Sequence, residues 1–138
     1  MKKILSTLCL IISIIATNAQ ENPINLTVKI SGLQSSQGTL LIGLYNQKKD
    51  FLKKEFRGNI ATINNKTAVV TFKNIPKGEY AVSFVHDENN NKKMDTNFFG
   101  IPKEDYGCSN NAVGFMGPPK YKDAKFSITE NKTIAIKI

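Results

Sequence analysis

Apolar side chains fall on alternate positions through several short runs of this chain. Ile24, Leu26, Val28 and Ile30 share one face, and Asn25, Thr27, Lys29 and Ser31 the other, which predicts a half-buried strand. Gly32 to Gly38 is a polar turn region. In Thr39 to Tyr45, Leu40, Ile42 and Leu44 face one way while Leu41 and Tyr45 face the other, so this strand is expected at the centre of a sheet. Phe51 to Gly58 is compatible with one helical turn or an irregular connection over the core. Ile60 to Ile63 and Ala68 to Phe72, joined through Asn64-Asn65, look like hairpin partners. Ile75-Pro76-Lys77-Gly78 reverses the chain into Tyr80, Val82 and Phe84, and two further runs follow at Phe126 to Ile128 and Ile134 to Ile138. About seven short strands without a long helix predict an all-β fold, an antiparallel β-sandwich rather than a barrel or a βαβ protein.

The alternation disappears from 86 to 123, far beyond the roughly 12–15 residues that compact domains leave unstructured without a purpose. Glycines and prolines interrupt this stretch, yet Phe98, Phe99, Tyr106, Phe115 and Tyr121 give it the apolar bulk that disordered linkers lack. An ordered excursion is expected. It carries Asp87, Glu88, Asp95, Glu104 and Asp105, five of the eleven acidic residues in a chain of net charge +8.

Residues 1–19 have the layout of a secretory signal: Met1-Lys2-Lys3, the apolar run Ile4 to Ile15, then small residues Thr17 and Ala19 around Asn18. Cleavage before Gln20 would leave one domain, 20–138, exported to the periplasm or the medium and without a transmembrane span. Cys9 would leave with the signal. Removing Lys2 and Lys3 leaves 17 basic against 11 acidic side chains, a net +6. The lysines are scattered, so a solvated surface, with weak adhesion to anionic envelope surfaces as the alternative, is expected in place of nucleic-acid binding. Only Cys108 would remain, so no internal disulfide can form and the core or a metal must hold the fold.

The sharpest chemical pattern is "HDENNNKKMD", residues 86 to 95. With Asp87 as position 1, Asn89, Asn91 and Asp95 occupy positions 3, 5 and 9, and Lys93 offers its carbonyl from position 7, as in the first part of an EF-hand-type loop. Oxygen ligands of this kind suit calcium, and no histidine or thiolate pair is present to suit zinc. Two positions depart from that pattern: Lys92 stands at position 6, where glycine makes the sharp turn, and Phe98 at position 12, where a bidentate glutamate belongs. Glu104 or Asp105 are candidates to complete the shell. The competing explanation is an Asx-rich turn that binds its own backbone and no ion.

His86, the only histidine, is read as a buried or turn-anchoring residue bound to backbone, because neighbours in a strand point to opposite faces and His86 with Asp87 makes no dyad. Cys108 is read as a small buried hydrophobe. No G-x-S-x-G elbow, H-E-x-x-H pair or phosphate-cradling glycine loop occurs.

"NIPKGEYAVSFVHDENNNKKMD" and "FFGIPKEDYGCSNNAVGFMGPPKYKDAKF" together resemble a family of exported bacterial proteins designated domain of unknown function 2141. The resemblance implies an extracytoplasmic β-protein and brings no catalytic residues. Its members tend to have glycine where Asn90 and Lys92 stand and an aromatic at Cys108. The turn Pro76 to Tyr80 is similar to that of transthyretin-like and carboxypeptidase-regulatory sandwiches, and an immunoglobulin-like sandwich fits the strand count equally well.

The expected function is therefore a non-enzymatic exported sandwich, its excursion pinned by calcium through Asp87, Asn89, Asn91, Lys93 and Asp95. Phe98, Phe99, Tyr106, Phe115 and Tyr121 would either pack beneath the loop, the arrangement favoured beside so many glycines and prolines, or form with His86 a surface for an envelope component, a protein or a carbohydrate. Two alternatives stand beside it: a metal-assisted hydrolase built on residues 86 to 105, and a structural envelope protein that binds no ion.

Overall fold

The computed structural model describes residues 22–138. The expected signal segment and its cleavage point lie outside them. Eight strands form two packed sheets, so the chain is a β-sandwich. One sheet holds β1 (Ile24–Ser31) between β4 (Thr67–Ile75) and β8 (Lys132–Lys137). The other runs β3 (Arg57–Thr62), β2 (Thr39–Tyr45), β5 (Gly78–Asp87) and β6 (Tyr106–Cys108), with β7 (Phe126–Ile128) also on β5. The core lies between the sheets, where Leu26, Val28 and Ile30 meet Leu40, Ile42, Leu44, Val82 and Phe84. These are the alternate positions that the sequence marks, and β2 lies inside its sheet as its two apolar faces require.

Three features depart from expectation. β3 and β4 are not a hairpin: β3 pairs β2 in register Leu41↔Ile60 while β4 pairs β1 in the opposite sheet, and only an isolated bridge Asn64↔Thr67 joins them at the turn. A tight Asn-Asn turn marks a reversal of direction, and the same reversal serves a chain changing sheets. The sandwich is also not wholly antiparallel, because β8 lies parallel to β1, with Val28 opposite Ile134. Finally, the excursion is shorter than 86 to 123. His86 and Asp87 end β5, and β6 returns to pair with Ser83, Phe84 and Val85, dividing the stretch into two loops.

The second loop packs on the outer face of the sheet. Tyr121 and Ala124 of the short helix α1 (Tyr121–Ala124) join Tyr45, Phe51, Ala81 and Cys108 in a second buried cluster. Tyr45–Phe51 and Phe51–Tyr121 meet edge-on at 5.3 and 5.6 Å. Where β6 ends, the buried Ser109 Oγ accepts Val82 N–H at 2.9 Å and donates to Ala124 O, which satisfies backbone that no strand reaches.

Burial among these aromatics pushes the Cys108 thiol up from 9.0 to about 12. The folded chain then keeps a proton that the unfolded chain releases, so this contribution is complete below pH 9.0 and is lost as pH rises toward about 12. Between those values stability should fall by about 1.4 kcal/mol per pH unit. Urea midpoints at alkaline pH should drop less in Cys108→Ala than in the parent chain; equal drops would show that the thiol carries none of this dependence.

Candidate metal centre

The site begins where β5 ends. Asp87 is opposite Thr39 in the β2–β5 ladder and is fully buried. Its carboxylate turns into the loop that follows: Oδ1 accepts Asn91 N–H at 3.0 Å and Oδ2 accepts Lys92 N–H at 2.8 Å. Asn89 Oδ1 accepts Asn91 N–H and Asn91 Oδ1 accepts Lys93 N–H, two successive Asx turns at 3.0 and 2.9 Å. The Nδ2 groups of Asn89 and Asn91 donate to the two oxygens of Asp95. Asp87 and Asp95 thus both bond Asn91, Asp87 through its backbone N–H and Asp95 through its Nδ2, while the Oδ1 atoms of Asn89 and Asn91 turn to backbone N–H groups.

Asn90 and Lys92 hold φ of 58° and 61°. Lys92 therefore makes the left-handed turn that position 6 of an EF-hand-type loop normally gives to glycine, at a conformational cost of order 1 kcal/mol.

Glu104 closes the loop. It is buried, and it accepts Glu88 N–H at 3.2 Å through Oε1 and Asp95 N–H at 2.9 Å through Oε2, so one carboxylate ties the start of the loop to its end. Lys103 N–H donates to Asp95 O alongside it. Asp105 turns elsewhere and takes Gln34 N–H and Gln34 Nε2 at 3.1 and 2.9 Å. Phe98, at position 12, points to solvent.

His86 shares the inner face with Phe84 and is fully buried; its Nε2 lies 2.7 Å from Gln37 O, the backbone anchor expected of it. Among the described residues its Nδ1 has no hydrogen-bond partner, and it stands 4.0 Å from Glu88 Oε1 and 3.9 Å from Asp105 Oδ2. The proposed ligand surface is accordingly divided. His86 and Tyr121 are interior residues, because one continues the core face of β5 and the other fills the second cluster, while Phe98, Phe99, Tyr106 and Phe115 are exposed.

The turn before β2 forms a second wall that alternation does not reveal. Ser35 Oγ donates to Glu88, Thr39 Oγ1 to Asn90, and Gly38 passes against the backbone of Asp87 and Glu88. The polar run 34–39 and its glycine were the available signal; their meeting with 87–90 follows only from the β2–β5 register.

Among the described residues no three histidine, cysteine, aspartate or glutamate side chains form a metal-holding group. The residues expected to hold an ion are instead amide-rich: Asp87 and Asp95 would supply the charge, and Asn89 and Asn91, whose Oδ1 atoms here accept backbone N–H, would add oxygens together with the Lys93 carbonyl. That chemistry fits a hard cation of flexible coordination such as calcium. An ion would compete with two neutral amide donors for the Asp95 carboxylate, and a double charge is the stronger partner.

Fold and site together define a β-sandwich with an Asx-rich loop clamped across the end of its longest strand. The chain belongs to the bacterial family described as "Uncharacterized protein conserved in bacteria (DUF2141)", whose pattern it matches over residues 28–136. No curated protein and no solved structure matches it.

Proposed function

We propose that this protein is an exported, non-enzymatic β-sandwich in which calcium, held by Asp87, Asn89, Asn91, Asp95 and the Lys93 carbonyl, fixes loop 88–105 as part of a recognition surface in the cell envelope. The observation that carries this reading is the gathering of residues 87 to 95 in one turn: buried Asp87 holds it from below, and the Asn89 and Asn91 amides meet Asp95 through their Nδ2 groups, which an ion would displace from the carboxylate. Loops held on a rigid sheet commonly carry binding. The burial of His86 supports a binding role over hydrolysis, since a general base must reach its substrate.

With phenylalanine at position 12 the expected affinity is that of extracellular calcium modules, roughly 10⁻⁴–10⁻³ M. Residues 20–138 contain every described strand and the whole described core. At about thirty times the dissociation constant, calcium should stabilise this chain by ~2 kcal/mol and raise its Tm by several degrees. Magnesium at the same concentration should do less. An unchanged Tm at about ten millimolar calcium, roughly tenfold above the dissociation constant of the weakest such sites, would leave the loop as an Asx turn without an ion.

A further inference from the structure

At a different place on the molecule, the turn at 48–54 and the segment 118–122 enclose a cleft of about 440 Å³. Its floor is apolar, formed by Phe51, Pro118, Pro119 and Tyr121, and its rim carries Lys48, Lys53, Lys120 and Lys122. Segments 48–54 and 120–125 together hold seven lysines against two aspartates. Among the described residues the one lysine in an ion pair with a carboxylate is Lys125, with Glu79, so the four rim lysines face solvent with their charge unanswered.

Two apolar side chains, one in the cleft and one in the chain leading to it, are exposed at a backbone cost. Leu52 (φ 60°) lines the cleft and Met116 (φ 53°) stands two residues before Pro118; both are left-handed, and both are exposed. A left-handed non-glycine residue that shows an apolar side chain to water loses on both counts, and such strain marks functional segments. Beside Met116, Phe115 is 92% exposed. Protruding side chains of this kind need a partner that yields to insertion, whereas a folded protein partner would need a recess to receive them. Lysine stems can lie along apolar surface while their ammonium groups reach anionic headgroups.

We propose that this face docks on the surface of an anionic phospholipid bilayer, Leu52, Phe115 and Met116 entering the headgroup boundary and Lys48, Lys53, Lys120 and Lys122 pairing with lipid phosphates. The site is separate from the calcium loop and does not depend on it.

The chain has no tryptophan, so Phe115→Trp in residues 20–138 provides a single reporter. Its emission should shift to the blue with vesicles containing about one-third phosphatidylglycerol in phosphatidylcholine, and stay unchanged with phosphatidylcholine alone. Replacing Lys48, Lys53, Lys120 and Lys122 together by glutamine should weaken vesicle binding about a hundredfold. The same substitution at Lys29, Lys66, Lys73 and Lys137, with the same loss of net charge, should change it by no more than about threefold. Melting curves verify that each variant is folded. Equal losses in the two quadruple variants, an unshifted tryptophan emission, or preference for soluble polyglutamate over the vesicles would each overturn the proposal.

Discussion

Replacing Gly38 by alanine should destabilise the chain by more than about 3 kcal/mol, because two independent costs meet at one position. Gly38 has φ of 75°, in the region that side chains rarely adopt. A β-carbon there would lie 2.1 Å from Asp87 O, 2.6 Å from Glu88 Cα and 2.9 Å from Asp87 C. All three atoms are backbone at the end of β5, where the ladder to β2 holds them, so the clash cannot be relieved by rotating a side chain. Relief must come from moving either the 32–38 turn or the start of loop 88–105. The second option shifts Asp87, so Gly38→Ala should lose calcium response as well as roughly 10 °C of Tm. Near-parental stability would mean that this close approach is not kept in solution.

Asp87→Ala is the other large effect expected. The carboxylate holds two backbone N–H groups, and hydrogen bonds to a charged group contribute about 1.5–3 kcal/mol each. Water reaches the exposed loop and offsets part of the loss, which leaves ~2–4 kcal/mol. Asp87→Asn retains one acceptor oxygen and should lose about half as much. Thermal or urea unfolding of both variants, each with and without calcium, measures the structural and the ionic contributions separately. Equal stability of Asp87→Ala and the parent chain in chelator would show that the carboxylate does not support the turn.

Much of the sandwich was legible because alternation reports which face of a strand is buried. Leu26, Val28, Leu40, Ile42, Val82 and Phe84 all lie in the core as the pattern required. Alternation does not report a strand's partner, so the run 60–63 and the run 68–72 looked like a hairpin although they belong to opposite sheets. The parallel pairing of β1 and β8 was hidden for the same reason. In the site, the Asx-rich spacing of residues 87 to 95 was legible as a run of turns, since an Asx turn is a local geometry written in local sequence. Glu104 was a candidate only by charge, and its clamp across the loop depends on where β6 returns. Gly38 and Ser35 were legible only as a polar turn, because their contacts with 87 and 88 join segments about fifty residues apart.

Calorimetric titration of chelator-treated residues 20–138 with calcium tests most directly whether an ion sits within the turn from Asp87 to Asp95. One ion per chain, bound in the submillimolar to millimolar range and lost in Asp87→Ala, is the result predicted. Absence of saturable binding, or binding that Asp87→Ala leaves unchanged, would contradict it.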